Sequence, residues 1–297
     1  MKRGFRVLVL SVAVALALVA VPASADDHHE STYLALGDSY AFAFNPIVYA
    51  SGGASNPANF PGYTDAVAAA LGLTLTNAAC PGETSGSLIS TANPDNGCQF
   101  YRAHFPLHAS YSGAQLAFAV KYLRSHHHTD LVTLQIGGND FLLLQSACSG
   151  NATCILNGLP GVEAQMTANL STIYSAIRNR AHYHGTIVTV PYFAFNYNDP
   201  TNVFFTTELD KTVSAVAARY HALVADAFGA FFTASANSPF LAHVPCFAGL
   251  QVVLSPGPPP GCDIHPSAAG HAVFAKAILA VMSDDNNENG DNNSNNN

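Results

Sequence analysis

The sequence predicts one α/β domain in which a parallel β-sheet is covered by helices on both faces. Short apolar runs alternate along the chain with longer segments whose apolar residues recur at helical spacing. Such alternation is typical of parallel strands joined by crossover helices. About 270 residues follow the first 25 of the 297-residue chain, and no shift in composition marks a linker. One domain over residues 26–283 is therefore expected.

Four apolar or β-branched runs predict the strands of this sheet. Glycine or proline stops three of the runs, as expected where a buried strand enters a loop. In chain order, the predicted strands are residues 33–36, 73–79, 131–136 and 186–190. Reactive groups in parallel sheets gather beyond the carboxyl ends of the strands, so the residues just after these runs are candidates for a functional site.

Five segments with helical spacing predict the covering helices. Gly72 follows the first of them as a stop signal, and Pro266 stands just ahead of the last as a start signal. In chain order, the predicted helices are residues 63–71, 113–124, 162–180, 207–228 and 267–282.

The first 25 residues have the pattern of a secretory signal peptide. Three of the first six residues are basic, residues 7–21 are almost entirely apolar, and Ala-Ser-Ala at residues 23–25 gives the small-x-small cleavage pattern. A membrane anchor is the alternative, but the apolar run is short for a span. We expect cleavage after residue 25 and a soluble, secreted protein.

Residues 284–297, at the other end, are Asn-rich with scattered acids and contain no apolar side chain to bury. A segment of this composition gains too little from burial to offset its ordering entropy, so disorder is expected.

Charge and cysteine content limit the classes of function. The formal net charge is -8 and only 10% of residues are charged, which argues against a nucleic-acid partner. Six cysteines in an exported chain predict disulfides, and sequence alone allows 15 pairings. Pairing of neighbours is the simplest choice, namely Cys80–Cys98, Cys148–Cys154 and Cys246–Cys262. No Cys-x-x-Cys spacing supports a zinc site.

Ser39 is the candidate nucleophile. It follows the first predicted strand in Gly37-Asp38-Ser39-Tyr40, where Gly37 permits a tight exit from the strand. Such a turn exposes the hydroxyl and aims the backbone N–H of Ser39 outward. A serine in this position is also a good helix N-cap, so the motif gains weight only together with two others.

Asn139 and Gly82 are candidate hydrogen-bond donors. Asn139 lies in Gly137-Gly138-Asn139-Asp140 after the third predicted strand, and its amide N–H can donate to a developing oxyanion. Gly82 follows Pro81, and its backbone N–H could be a further donor. Each also reads as an ordinary turn residue, and Pro-Gly is the weaker signal.

His265 is the candidate general base, in Asp263-Ile264-His265-Pro266. Pro266 restricts the backbone of His265, and a rigid loop suits a base. Asp263 could orient the imidazole as the acid of a Ser-His-Asp triad. No Gly-x-Ser-x-Gly motif occurs, which argues against the α/β-hydrolase version of this chemistry. We expect neither a metal nor a cofactor.

These motifs resemble those of the SGNH hydrolases, also called GDSL lipases and esterases. Residues 37–40 look like the first block of the family, Gly82 like the second, residues 137–140 like the third and His265 with Pro266 like the last. The resemblance spans nearly the whole mature chain. It implies a three-layer α/β/α sandwich, flavodoxin-like, with about five parallel strands. It also implies an oxyanion hole made by the backbone N–H groups of Ser39 and Gly82 and the Asn139 side chain.

The last block departs from the family pattern. The family usually places the aspartate three residues before the histidine, and Cys262 occupies that place here. Either Asp263 reaches the imidazole from two residues away, or a backbone carbonyl near Cys262 takes its role.

The motifs together predict a secreted serine hydrolase that cleaves carboxylic esters. Apolar and aromatic segments near the motifs, at residues 42–44, 141–144 and 192–195, suit an acyl chain, although some could be core. We expect a lipase or esterase for small-molecule or lipid-like acyl esters, monomeric and in transient contact with lipid surfaces. A polysaccharide O-acetyl esterase is the alternative enzyme, and a non-catalytic binding module of the same fold is the alternative class.

Overall fold

The structure is a computed structural model that describes the backbone of residues 31–294 and the side chains of residues 31–285. The predicted signal peptide, residues 1–25, lies outside the described residues. Within the described part of the chain, no helix is both long enough and apolar enough to cross a membrane.

The centre of the fold is a five-stranded parallel sheet. Its strands are β1 (Thr32–Gly37), β2 (Thr74–Asn77), β3 (Thr129–Gln135), β4 (Thr186–Thr189) and β5 (Leu223–Val224), in the order β2-β1-β3-β4-β5. All neighbouring pairs are parallel. The doubly wound order confirms the predicted flavodoxin-like architecture.

Helices cover both faces of the sheet. The helices are α1 (Ser39–Phe42), α2 (Pro46–Ala50), α3 (Tyr63–Leu71), α4 (Ser85–Ile89), α5 (Cys98–His104), α6 (Gln115–Ser125), α7 (Gly138–Ala147), α8 (Ala152–Ser175), α9 (Pro200–Arg219), α10 (Ala227–Ala234) and α11 (Ala268–Ser294). Two short 3₁₀ turns (Gly53–Ser55 and Pro57–Asn59) and a π-helical turn (Ala176–Arg180) complete the helical segments.

Successive residues of β1 bury their side chains in two separate cores. Tyr33 packs into the core on one face, with α3, α10 and α11, while Leu34 packs into the other, with α6, α8 and α9. This alternation follows from the period of two in a strand. All six residues of β1 are buried, as expected for an interior strand of a sheet covered on both faces.

The segment at residues 207–228 differs from the prediction of one long helix. Helix α9 begins earlier, at Pro200, with Asp199 as its N-cap, and ends at Arg219. His221 then adopts a positive φ of 51°, and the chain enters the two-residue strand β5 before α10 begins at Ala227. The apolar spacing continues across this break, so the sequence pattern alone hides the fifth strand.

Two other helices extend beyond their predicted ends. Helix α8 starts at Ala152, ten residues before the predicted start, and carries Pro160 inside it. The backbone of α11 continues to Ser294, into the Asn-rich segment for which disorder is predicted. The disorder of residues 284–297 stays a prediction.

The three predicted disulfides are confirmed. Cys80–Cys98 joins the loop after β2 to the start of α5, and Cys148–Cys154 joins α7 to α8. Cys246–Cys262 ties a loop to a two-stranded antiparallel hairpin, β6 (Gln251–Ser255) and β7 (Gly261–Pro266). This hairpin lies outside the main sheet and was not predicted.

Candidate active site

Ser39 lies in the sharp turn between β1 and α1. At Gly37, φ is 143°, and an added Cβ would lie 2.1 Å from the backbone oxygen of Gln135, so only glycine fits. Asp38 then caps α1 by accepting a hydrogen bond from the Tyr40 N–H at 3.0 Å. Ser39 is the first residue of the helix. The turn therefore holds the Ser39 hydroxyl at the carboxyl end of β1.

Asp38 also ties this turn to the turn after β3. The Tyr192 hydroxyl donates to Asp38 Oδ2 at 2.5 Å and accepts from the Gly138 N–H at 3.0 Å. Burial raises the pKa of Asp38 to about 6, although the hydrogen bonds from Tyr192 and the Tyr40 N–H oppose the rise. One tyrosine thus fixes the residues next to Ser39 and Asn139 relative to each other.

The backbone conformation at position 82 requires glycine. Its φ is 82°, and an added Cβ would lie 2.4 Å from the backbone oxygen of Asn96. The Asn96 N–H donates back to the Gly82 oxygen at 2.7 Å. Among the described residues, the N–H groups of Gly82 and Ser39 donate to no other protein group. Both are free to donate to a ligand.

Asn139 is buried and its amide is held in one orientation. Its Nδ2 donates to the Glu83 backbone oxygen at 2.9 Å, and its Oδ1 accepts from Asn96 Nδ2 at 2.8 Å. These two contacts fix the orientation of the Asn139 side-chain amide, with Nδ2 toward the Glu83 backbone oxygen and Oδ1 toward Asn96. They use only one of the two N–H bonds of Nδ2, so the other is available for an oxyanion.

A buried glutamine links these turns. Gln115 accepts from the Gly37 N–H at 2.7 Å, and its Nε2 lies 3.0 Å from the Gly37 oxygen and 3.1 Å from Glu83 Oε2. Burial raises the pKa of Glu83 to about 7, although hydrogen bonds from Ser87 and Gln115 oppose the rise. Glu83 lies beside the Cys80–Cys98 pair, whose sulfurs are bonded to each other and so cannot serve as thiolate metal ligands.

His265 lies on strand β7 of the hairpin rather than on the predicted loop. Its Nδ1 hydrogen-bonds Asp263 Oδ1, and its backbone N–H donates to the same oxygen at 3.0 Å. Strand geometry explains this contact, because side chains two residues apart point to the same side. The two-residue spacing therefore brings Asp263, and not a carbonyl near Cys262, onto the imidazole.

The surroundings of this pair fix its position. Burial raises the pKa of Asp263, but hydrogen bonds and charge from His265 outweigh burial and hold it below its ordinary value. The Tyr40 hydroxyl donates to the backbone carbonyl oxygen of Ile264 at 2.6 Å. Gln251 Nε2 donates to the backbone carbonyl oxygen of Asp263 at 2.9 Å. The hairpin is thus attached to the helix that carries Ser39.

The predicted site residues converge on one cavity of about 240 Å³. Ser39, Gly82, Asn139 and His265 all line it, and Asp263 stands behind His265. Within the described residues, Ser39 and His265 make no direct hydrogen bond, a common state of catalytic pairs without substrate. Asn96, Gln115 and Tyr192 were missed by sequence reasoning.

The segments predicted to surround the site divide between core and cavity. Phe42 is fully buried in the core, whereas Phe44 lines the cavity and Phe141 and Phe195 line a second one beside it.

Comparison with known proteins agrees with this geometry. The sequence pattern of the GDSL-like lipase/acylhydrolase family matches residues 35–273. The search among curated proteins finds no significant match. The fold is similar to that of a phospholipase A1 from Streptomyces albidoflavus, with a TM-score of 0.54 at 20% identity over 85% of this chain and 99% of the other.

Two further solved structures have the same fold. An extracellular lipase from Streptomyces rimosus matches with a TM-score of 0.54 at 18% identity, over 84% of this chain and 99% of the other. An acetylxylan esterase from Geobacillus stearothermophilus matches with a TM-score of 0.51 at 16% identity, over 86% and 95%. Since the family pattern covers most of the chain, this protein belongs to the GDSL-like lipase/acylhydrolase family and is a carboxylic ester hydrolase.

Proposed function

We propose that the protein is a secreted serine esterase or lipase that hydrolyses lipid-like acyl esters through a Ser39–His265–Asp263 triad. The observation that carries this proposal is the convergence of Ser39, Gly82, Asn139 and His265 on one cavity. Secretion is supported by the signal-peptide pattern and by three disulfides, which persist in oxidising compartments.

Each residue has a distinct step. His265 Nε2 takes the proton of Ser39 Oγ, which attacks the ester carbonyl carbon. The backbone N–H groups of Ser39 and Gly82 and the side-chain amide of Asn139 donate hydrogen bonds to the oxyanion as it develops. His265 then gives the proton to the departing alkoxide as the carbon–oxygen bond breaks. A water molecule, deprotonated by His265, then attacks the acyl carbon, and the bond to Ser39 Oγ breaks as Oγ takes the proton back from His265 and the acid is released. Asp263 stabilises the imidazolium in both halves of the reaction.

The decisive experiment is a set of initial rates on p-nitrophenyl esters from acetate to palmitate, with the purified oxidised protein. We expect turnover of several esters and a rate that rises with acyl length. Turnover of acetate alone would favour the O-acetyl esterase alternative. No turnover of any ester would contradict the proposed activity.

Replacement of Asn139 by alanine is expected to lower kcat by about 10² to 10³, because one oxyanion donor is lost in the transition state. Asn96→Ala should lower kcat by about tenfold, since Asn96 only orients that donor. KM should change little in both. Asn179→Ala, an exposed amide on the π-helical turn, is the control. An unchanged kcat in Asn139→Ala would remove Asn139 from the oxyanion hole.

A further inference from the structure

Two cavities meet at Ser39. The smaller, of about 240 Å³, is the one that contains His265, and we call it the histidine chamber. The larger, of about 330 Å³, lies between α7 and α9, and we call it the apolar chamber. Ser39, Asn139, Leu142 and Ile264 border both chambers. A tetrahedral centre on Ser39 could therefore place one substituent in each.

The apolar chamber has aliphatic and aromatic walls. These walls include Phe141, Leu142, Phe193, Phe195, Phe205 and Leu209. Its one charged lining residue, Asp38, is buried and accepts a hydrogen bond from the Tyr192 hydroxyl. Such a chamber provides a favourable environment for methylene groups and none for a charge.

The histidine chamber is also largely apolar, but it alone contains Gly82 and His265. Aromatic rings of Phe44, Tyr49, Phe100 and Tyr101 line it together with the oxyanion donors. No lysine, arginine, aspartate or glutamate is among its lining residues. His265, the lining residue that becomes cationic during the reaction, is already paired with Asp263. An anionic group entering the chamber would therefore lose its hydration without gaining an unpaired positive partner.

The position of the general base indicates which part of the ester each chamber binds. His265 must protonate the departing alkoxide, so the alcohol oxygen has to lie within hydrogen-bond reach of its imidazole. His265 lines the histidine chamber and not the apolar one. The oxyanion occupies the donors, which leaves the apolar chamber for the third substituent of the carbonyl carbon.

We propose that the apolar chamber holds the acyl chain and the histidine chamber holds a neutral alcohol. This assignment rests on the proposed Ser39–His265 mechanism. An acetyl group would leave most of the apolar chamber unfilled, so the preferred substrates carry longer acyl chains. An ester whose alcohol part bears a negative charge is disfavoured.

The first test narrows the apolar chamber. Thr206 on α9 lines it, whereas its neighbour Thr207 lines a different cavity. In the wild type, kcat/KM on p-nitrophenyl esters should rise roughly fourfold per methylene until the chamber is full. In Thr206→Trp the octanoate-to-acetate ratio of kcat/KM should fall by about tenfold or more. Thr207→Trp, the same change on the same helix, should keep the wild-type ratio.

The second test addresses the histidine chamber with one acyl group. Phenyl butyrate and the butyrate ester of 4-hydroxybenzoate differ only in the carboxylate on the alcohol part. The wild type should prefer phenyl butyrate by about tenfold or more. Phe100 is 58% exposed at this chamber, so Phe100→Ala should fold normally. It should raise KM for phenyl butyrate while leaving the octanoate-to-acetate ratio unchanged.

The outcomes separate the two proposals. Wild-type protein that hydrolyses no ester, or Ser39→Ala protein that remains active, overturns the mechanism itself. If the enzyme is active, and its octanoate-to-acetate ratio of kcat/KM is unchanged in Thr206→Trp but changes in Phe100→Ala, the acyl chain lies in the histidine chamber. That result overturns only the assignment of the two chambers. Equal rates on the two butyrate esters contradict the neutral alcohol site.

Discussion

Replacement of Ser39 by alanine is expected to abolish ester hydrolysis, with a loss of about a millionfold in kcat. Without the hydroxyl no acyl-enzyme can form, and the remaining rate comes from the oxyanion donors and binding alone. The fold should be retained, because alanine favours the helix that begins here and the Ser39 hydroxyl makes no hydrogen bond within the described residues. Rates on p-nitrophenyl butyrate, with far-UV circular dichroism and Tm, check both parts.

Ser125→Ala is the matched control for this variant. Ser125 is exposed at the end of α6, away from the site, and its hydroxyl bonds only to neighbouring groups of its own helix end. Its activity should equal that of the wild type. A Ser39→Ala protein that keeps even a tenth of the wild-type kcat would mean that another group attacks the ester.

Replacement of Asp263 by asparagine is expected to lower kcat by between about 10² and 10⁴. An amide NH₂ facing Nδ1 would favour the tautomer with its proton on Nε2, which cannot accept the proton of Ser39. It would also remove the negative charge that stabilises the imidazolium. The Asp263 side chain is 24% exposed, so solvent moderates the loss relative to a fully buried triad acid. Steady-state kinetics should show the loss in kcat rather than in KM.

Asp199→Asn is the control for Asp263→Asn, since it removes one carboxylate from the exposed N-cap of α9, where asparagine caps equally well. It should leave the kinetics unchanged. If Asp263→Asn stays within a few-fold of the wild type, a backbone carbonyl orients His265 instead. Such a result would leave the roles of Ser39 and His265 intact.

The sheet could be predicted largely from the sequence because β1, β3 and β4 are buried on both faces. Four strands were found as short apolar or β-branched runs, three of them with a glycine or proline directly after the run. The strand β5 has only two residues, Leu223 and Val224, and its apolar pattern merges with that of α9. The hairpin β6–β7 is only partly buried, so it has no such pattern, and the spacing of its residues gave no strand signal.

Sequence also identified the candidate site residues. Ser39, Gly82 and Asn139 each follow a strand in a turn with unusual backbone needs, and His265 was marked by the proline after it. The residues that hold them in place could not be found this way. Asn96 reaches Asn139 across 43 residues, and Tyr192 reaches Asp38 across 154. These polar contacts depend on the packed fold and leave no local pattern. The sequence leaves the role of Asp263 open, because a spacing of two residues places Asp263 and His265 on the same side only if the segment is a strand.

The proposed nucleophile and its proposed base lie on parts of the fold with different exposure. Ser39 follows the fully buried strand β1, whereas His265 lies on a partly exposed hairpin held by the Cys246–Cys262 bond. That disulfide is partly exposed, while Cys80 and Cys98 are buried. Local opening of the hairpin costs less free energy than global unfolding, so mild heat or a thiol reductant should separate His265 from Ser39 while the sheet persists. Retained secondary structure is therefore no measure of retained activity in this enzyme.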